Sequence, residues 1–321
     1  MKEEKDLLLE TKDLVKYFKT SRGALHAVDH VDLSIPARRT LGVVGESGCG
    51  KSTLGRTILR LVEPTSGSVR FHGEDITAYG EKQMREARRK LQMIFQDPYA
   101  SLNPRKTVSE LIEDPLKVYR VPKSERADKV RELMDVVGLS QRFAHAYPHE
   151  LDGGRRQRIG IARALSLDPE FIVCDEPVSA LDVSIQAQIL NLLMDLQRDR
   201  GLTYLFITHD LSVVRHISDE IIVMYLGVVV ERAPSRELFA HPLHPYTREL
   251  IRSIPAPDLD PAHRLVNSLR GEVSDPIDPP ARCRFAPRCN HCSEACLGKN
   301  PKLTDMGGAH FVACALYETN V

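Results

Sequence analysis

Apolar and polar positions fall into short blocks along the chain, and each block predicts an element. Leu7 to Phe18 reads as an opening strand that ends in two aromatics. Ala27 to Ile35 alternates apolar and polar residues, as a half-buried strand does, and Pro36 ends it. Leu41-Gly42-Val43-Val44 is a continuous apolar run, the pattern of a strand buried on both faces. Thr53 to Leu61 has helical spacing, Glu63 to Ser68 is a turn cluster, and Val69-Arg70-Phe71 is a short strand. Leu91 to Pro98 reads as a buried strand stopped by its proline. Val108 to Leu116 and Ser124 to Val137 have helical periodicity, with Ser124 as N-cap and Gly138 as C-cap of the second helix. A further helix runs up to Leu167. Phe171 to Glu176 is a continuous apolar strand that ends in two carboxylates. Ser179 to Asp182 is a tight connection, Ile185 to Arg200 a long amphipathic helix, and Thr203 to Asp210 another buried strand. Ile221 to Val230 contains Gly227 and reads as two short strands around a turn.

Strands alternating with helices predict an α/β fold on a mostly parallel sheet, with a helical insertion over about residues 98–165. Ligands collect at the C-terminal edges of such sheets. Gln96, Asp175, Glu176 and His209 are all expected at that edge. After Ser235 the pattern changes. Prolines recur at Pro242, Pro245, Pro255, Pro257, Pro261, Pro276, Pro279, Pro280, Pro287 and Pro301, and one helix, Pro245 to Ser253, interrupts them. This segment looks loop-rich and poor in apolar residues, so it needs a staple. Two domains are expected, residues 1–235 and residues 236–321.

Between the apolar run at Leu41 and the helix at Thr53 stands Gly45-Glu46-Ser47-Gly48-Cys49-Gly50-Lys51-Ser52, followed by Thr53. This fits G-x-x-x-x-G-K-[ST], a phosphate-binding loop in its expected strand–loop–helix setting. The glycines let backbone N–H groups turn inward around phosphate oxygens, and the helix N-terminus favours an anion. Lys51 is expected to reach the β- and γ-phosphates and the Ser52 hydroxyl to hold Mg²⁺. Asp175 fits the acidic residue that holds Mg²⁺ through water. Glu176 beside it is placed to orient or deprotonate an attacking water.

Composition narrows the partners. Lys+Arg and Asp+Glu are both 44 in 321 residues, so net charge gives no argument for nucleic-acid binding. No apolar run approaches the roughly 18–20 residues that span a bilayer. The N-terminus, Met1 to Asp6, lacks the apolar segment of a secretory signal, so a cytosolic protein that meets a membrane only through partners is expected. Of seven cysteines, Cys49 and Cys174 are isolated, whereas Cys283, Cys289, Cys292, Cys296 and Cys314 crowd together. In a cytosolic chain that points to metal or cluster binding rather than disulfides. Cys283, Cys289, Cys296 and Cys314 have the spacing C-x5-C-x6-C-x17-C, with Cys292 extra. Four thiolates suit Zn²⁺ or an iron–sulfur cluster, and the lack of paired C-x2-C knuckles speaks against a zinc ribbon. Reduced structural cysteines are the third reading.

The order of these elements resembles the nucleotide-binding subunit of an ABC transporter over roughly residues 7 to 235. It has the phosphate loop, a Q-loop glutamine at Gln96 and an LSGGQ-like segment at Leu151. The Asp175-Glu176 pair, a D-loop at Ser179 to Asp182 and an H-loop at His209 complete the order. The stretches Phe95 to Pro104, His241 to Arg248 and Pro279 to Cys289 are similar to the dipeptide/oligopeptide importer branch, and most of all to its second ATPase subunit, the dipeptide-permease F type. The resemblance implies an ATPase that couples ATP hydrolysis to peptide uptake. It implies a heterodimer with a second ABC ATPase, two transmembrane permease subunits and a periplasmic or extracellular peptide-binding protein. It implies a peripheral place on the cytoplasmic face of the plasma (inner) membrane. Gly45 through Thr53 and Gln96 would contact ATP, with Gln96 also on Mg²⁺, and Phe18 would stack on adenine, with Tyr17 the alternative. Asp182 and the segment Asp152-Gly153-Gly154 would complete sites across the dimer. Lys51, Glu176 and His209 would act in catalysis. A [4Fe–4S] cluster is implied on Cys283, Cys289, Cys296 and Cys314. Import of nickel–chelate complexes or glutathione is the runner-up, and a soluble ABC ATPase of DNA repair or translation the reading from another class. A non-catalytic regulatory subunit is the third.

One residue departs from the family. The common LSGGQ reads Leu151-Asp152-Gly153-Gly154-Arg155, so Asp152 presents an anion where a serine would donate to the γ-phosphate. A like-charge pair about 4 Å apart repels by about 4 kcal/mol at an effective dielectric near 20, which Arg155 or Arg156 would offset. Unequal sites are expected, the one built on Lys51 and Glu176 being the more active; simple tolerance of Asp152 is the alternative.

Overall fold

The computed structural model describes residues 7–254 and 275–318. The N-terminal hexapeptide and the prolines Pro255, Pro257 and Pro261 lie outside the described residues. Two compact units divide the chain. One comprises Pro36–Arg39 and Ala78–Ile207; the other comprises Leu7–Ile35, Thr40–Thr77 and the described part of Thr208–Val321.

The second of these units begins with β1 (Leu7–Thr20) and β2 (Gly23–Pro36), followed by β3 (Thr40–Val44) and α1 (Lys51–Ile58). β4 (Ser66–Phe71) and β5 (Glu74–Asp75) complete a sheet of order β2-β1-β4-β5, in which β1 and β4 run antiparallel with Leu9 opposite Phe71. All five residues of β3 are buried, as the unbroken apolar run requires. α1 stops three residues before the expected Leu61. Arg60 takes a left-handed φ of 49°, its N–H donates to Thr57 O (3.0 Å), and the Leu61 N–H donates to Arg56 O (2.9 Å). This pair of bonds closes a helix at its C-terminus, usually around glycine, so an arginine there gives periodicity no warning.

The other unit holds α2 (Glu81–Lys90), β6 (Leu91–Ile94), α3 (Pro98–Ser101), α4 (Val108–Val118), α5 (Lys123–Val136), α6 (Gly153–Leu165), β7 (Phe171–Asp175), α7 (Val183–Arg200) and β8 (Thr203–Ile207). β6, β7 and β8 are parallel neighbours, with Leu91 opposite Phe171 and Phe171 opposite Thr203. β6 ends at Ile94, short of the expected Pro98. Pro98 instead opens α3, because the Asp97 carboxylate accepts from the N–H groups of Tyr99 and Ala100 (2.8 and 3.1 Å). α5 starts right after Pro122, so Ser124 sits within the first turn and does not cap it. Gly138 follows the C-cap Val137 with φ of 64°, the conformation glycine adopts at no steric cost.

The chain then returns with α8 (Leu211–Ile217), β9 (Glu220–Tyr225), β10 (Val228–Pro234), α9 (Ser235–Ala240), α10 (Pro245–Arg252), α11 (Ala295–Gly298), β11 (Thr304–Asp305) and β12 (Phe311–Val312). β9 runs parallel to β3, and β10 folds back on β9 around Leu226-Gly227, both at positive φ. β12 extends the edge at β10, with Val312 opposite Glu231. The loop-rich expectation missed α9 and a second feature. Leu238, Tyr246 and Phe285 join one buried cluster with Val44, Val223 and Tyr225. Tyr225 meets Tyr246 and Phe285 edge to face, at ring separations of 4.8 and 5.3 Å. Three large side chains thus anchor the proline-rich segment to the strands. Among the described residues no helix is long and apolar enough to cross a membrane.

Polar links reinforce this anchoring. The Glu231 carboxylate, fully buried, accepts from the N–H groups of Leu243 and His244 (2.7 and 2.9 Å) and lies 2.7 Å from His310 Nε2. His244 caps α10, its Nδ1 accepting from the Tyr246 N–H (3.0 Å), so the ring is neutral there. Burial, together with the nearby Arg248 cation, pushes its pKa down to about 3. Below about pH 6.5 an unfolded chain protonates this histidine and the folded one does not, so its contribution is complete above that pH and declines as pH falls toward 3. His244→Asn keeps a capping acceptor without the titration. Urea unfolding between pH 7.5 and 4 is expected to show a shallower pH dependence for this variant, and an unchanged slope would exclude His244 as a source.

Candidate functional site

The phosphate loop leaves the end of β3 and turns into α1. It closes around the Lys51 ammonium, which donates to the carbonyls of Gly45 (2.8 Å) and Glu46 (2.9 Å) and is 3.9 Å from Cys49 Sγ. Lys51 is 5% exposed, and burial raises the pKa of the Cys49 thiol. Two glycines are obligatory on steric grounds. Gly50 has φ of 105°, and a Cβ there would meet the Ala27 carbonyl oxygen at 1.9 Å. At Gly45 a Cβ would meet the Met224 carbonyl oxygen at 2.2 Å. Ser47 and Gly48 are exposed at the loop's tip, and Ser52 and Thr53 are half-buried in the first turn of α1. Further bonds hold the loop from outside: the Gly227 N–H donates to Cys49 O (2.8 Å), and the Glu46 N–H donates to Tyr246 Oη (2.8 Å). The Glu46 carboxylate takes a two-pronged bond from the Arg288 guanidinium (2.7 and 3.0 Å).

In the other unit Gln96 and Glu176 are brought together, with Gln96 Nε2 donating to Glu176 Oε2 at 3.0 Å. Asp175 ends β7 fully buried. Glu176 follows with φ of 46°, unusual for a residue with a side chain, and its N–H donates to Ile207 O (2.9 Å). His209 is exposed two residues past β8.

Asp152 is the N-cap of α6. Its carboxylate accepts from the Arg155 N–H (2.8 Å) and pairs with the Arg155 guanidinium. The expected anion is thus neutralised within its own segment, by Arg155, while Arg156 donates instead to Pro148 O (2.7 Å). Arg155 also lies over the Phe143 ring at 4.8 Å. Gly153 and Gly154 form the first turn, and a Cβ on Gly154 would meet Ile185 Cγ2 at 2.7 Å. Asp182 caps α7 through Ile185 N–H (3.0 Å), a bond that, with the Ser184 hydroxyl, lowers its pKa.

At the aromatic end of β1, Phe18 is 36% exposed, with Lys16 Nζ 4.8 Å from its ring centre. Tyr17, the alternative, is committed elsewhere: its ring stacks on His26 at 3.8 Å and its hydroxyl bonds Asp29. Asp29 also pairs with Arg284, which bonds Leu226 O as well. Burial works to raise the Asp29 pKa, but the Tyr17 hydroxyl and the Arg284 charge outweigh it and hold it below the ordinary value. Sequence reasoning missed Asp29, Arg284, Arg288 and Tyr246. The one available signal was Asp29 itself, an acid in step with the inward Val31, Leu33 and Ile35 of β2.

Cys296 and Cys314 are buried, Cys283 and Cys289 half-buried and Cys292 exposed, all as free thiols. The Cys283 N–H donates to Cys296 O (3.0 Å). Burial and the thiols of Cys296 and Cys314 push Cys283 up to about 11, and burial likewise raises Cys289 and Cys314. Among the described residues no group of three or more His, Cys, Asp or Glu side chains is set to hold a metal ion.

Known proteins match both segments. The ABC transporter family profile matches residues 28–179, and the profile for the oligopeptide/dipeptide transporter C-terminal region matches residues 230–296. The chain is 52% identical to the putative oligopeptide transport ATP-binding protein YkfD of Bacillus subtilis, covering 97% of this chain and 95% of that one. It is 50% identical to the oligopeptide transport ATP-binding protein AppF of the same organism, covering 97% and 98%. Among solved structures it resembles an ATP-binding cassette dimer in a post-hydrolysis state bound to ADP and Pi. The TM-score is 0.66 at 31% identity, over 71% of this chain and 99% of that one.

The capping geometry at Asp152 is directly testable. Asp152→Ser keeps a cap acceptor and is expected to leave stability nearly unchanged, whereas Asp152→Ala is expected to cost about 1 kcal/mol in urea unfolding. Equal losses from both would reject the cap.

Proposed function

The chain belongs to the ABC transporter ATP-binding family, and from that premise we propose that it is the ATP-hydrolysing subunit of an importer for dipeptides or oligopeptides. The observation that carries the reading is its likeness along nearly the whole chain to oligopeptide transport ATP-binding proteins. The proposed division is a nucleotide-binding domain over residues 1–235, with a helical subdomain at about 98–165, and a loop-rich, cysteine-containing extension over 236–321.

In this reading the loop from Gly45 to Thr53 holds the phosphates of ATP. Lys51 exchanges its bonds to the Gly45 and Glu46 carbonyls for phosphate oxygens, which costs little because a cation bonds either. Phe18 stacks on the adenine, a choice supported by the engagement of Tyr17 with His26 and Asp29. Ser52, Gln96 and Asp175 each carry an oxygen donor of a kind that suits Mg²⁺. When bound, Mg²⁺ would neutralise charge on the β- and γ-phosphates. Glu176 orients the attacking water and accepts its proton, and His209 holds the γ-phosphate side of the site. The Gln96–Glu176 bond occupies one carboxylate oxygen of that base in this structure.

The partners in this reading are a second ABC ATPase, two transmembrane permease subunits and a periplasmic or extracellular peptide-binding protein. The chain then sits peripherally on the cytoplasmic face of the membrane. Asp152, Gly153 and Gly154 face the partner's ATP, and Asp182 lies at the same junction. The Asp152–Arg155 pair softens the expected repulsion without supplying the serine hydroxyl, which supports unequal sites. In the assembled transporter, Glu176→Gln is expected to lower steady-state ATPase about a hundredfold, the matching change in the partner far less. Equal losses would sink the asymmetry. Failure to co-purify with two polytopic membrane proteins would overturn the importer reading.

Cys283, Cys289, Cys296 and Cys314 are proposed to hold an iron–sulfur cluster. The spacing of the four cysteines within one segment is what supports this reading, and a cluster would take each thiolate on a separate iron. Zn²⁺ on the same four thiolates is the alternative. The cluster would staple the extension. Anaerobic purification is expected to give a brown, iron-containing protein; a colourless, iron-free, active one rejects the cluster.

A further inference from the structure

Glu46 is an awkward residue for a loop that receives triphosphate. Its carboxylate is an anion within the loop itself, and like charges at short range repel. Two residues from the far end of the chain deal with it. Arg288 approaches with both terminal nitrogens, 2.7 and 3.0 Å from the two carboxylate oxygens. That fork geometry is the strongest common form of charge-assisted hydrogen bond. Arg288 is itself 9% exposed, 3.3 Å from the Tyr225 hydroxyl and flanked by the rings of Tyr225 and Phe285. Its guanidinium is therefore also held by contacts other than Glu46. Tyr246, fully buried in the same cluster, accepts the Glu46 N–H at 2.8 Å. The backbone of Glu46 is thus held from outside while its carbonyl faces Lys51 at 2.9 Å.

We propose that Arg288 and Tyr246 are positioning residues for the phosphate loop, with Arg288 cancelling and drawing back the Glu46 charge so that the loop accepts a nucleoside triphosphate. The C-terminal segment is then part of the nucleotide site's construction as well as an appendage to it. Both residues reach the loop through Glu46. The inference rests on reading Gly45 to Thr53 as the ATP-binding loop.

The test uses the full chain, with equilibrium binding of ATP and the KM and kcat of the assembled transporter. Arg288→Met is expected to weaken ATP binding about tenfold, raising KM with kcat little changed. Glu46→Gln removes the charge that Arg288 serves, so the double variant Glu46→Gln/Arg288→Met is expected to bind ATP within about threefold of wild type. A merely structural arginine would give no such rescue. Tyr246→Phe is expected to weaken binding by a smaller factor. If Arg288→Met does not fold, Arg288→Gln, which loses the charge and keeps a hydrogen-bond donor, gives the same reading through its own rescue by Glu46→Gln. Wild-type affinity in a folded Arg288 variant, or a double variant no better than the single, overturns the inference. Failure of the wild-type chain to bind ATP overturns the ATPase reading instead.

Discussion

The loop from Gly45 to Ser52 wraps a buried ammonium with its own carbonyls, and much of its surroundings serves to hold that conformation. Such a loop has no ladder of hydrogen bonds to itself, and several of its residues occupy positive φ. It is stable only if neighbours fix it on every side. β3 delivers one end and α1 takes the other. The turn after β9 bonds Cys49 through Gly227, the Ala27 carbonyl packs against Gly50, and Tyr246 and Arg288 hold Glu46. These contacts come from regions up to 242 residues away in the chain. The loop is local in sequence and largely non-local in its support.

Buried acids in the same unit follow one rule: each of the following is met by a partner of opposite sign or by several donors. Asp29 meets Arg284, Tyr17 and His26; Glu231 meets His310 and two backbone N–H groups. A lone partner removed from such a set leaves a buried charge uncompensated, which costs far more than the set contributes as a whole. This explains why a proline-rich, apolar-poor tail is tightly attached. Its arginines answer acids on β2 and on the phosphate loop, and its aromatics fill the space beside Tyr225. Asp152 follows a milder version of the rule at the surface, where Arg155 three residues on both receives the cap and cancels the charge.

The longer strands and the long helices of the chain were legible because burial writes a period of two, a helical period or an unbroken apolar run directly into the sequence. Gln96 and Glu176 were legible as strand-end residues, and their 3.0 Å contact agrees with that placement. Boundaries were less legible. Arg60 ends α1 in a left-handed conformation that sequence usually signals with glycine, and Asp97 turns an apparent strand-stopping proline into a helix start. Periodicity registers average burial and is blind to a single capping bond. α9 was missed because six residues are too few for a helical period to declare itself.

By itself, the sequence determined the glycine–lysine loop, its strand–loop–helix setting and the order of the nucleotide-site elements, because each depends on residues adjacent in the chain. It also determined that Asp152 breaks the family pattern. Only the tertiary structure decided that Asp29 is buried beside Arg284, that Tyr246 and Phe285 belong to the core, and that Arg288 holds Glu46. The reason is physical: these pairings join residues hundreds of positions apart, and no local period or motif records which buried charge a distant arginine will meet. The phosphate loop is written in eight residues, but the side chains that bond its Glu46 are written far down the chain.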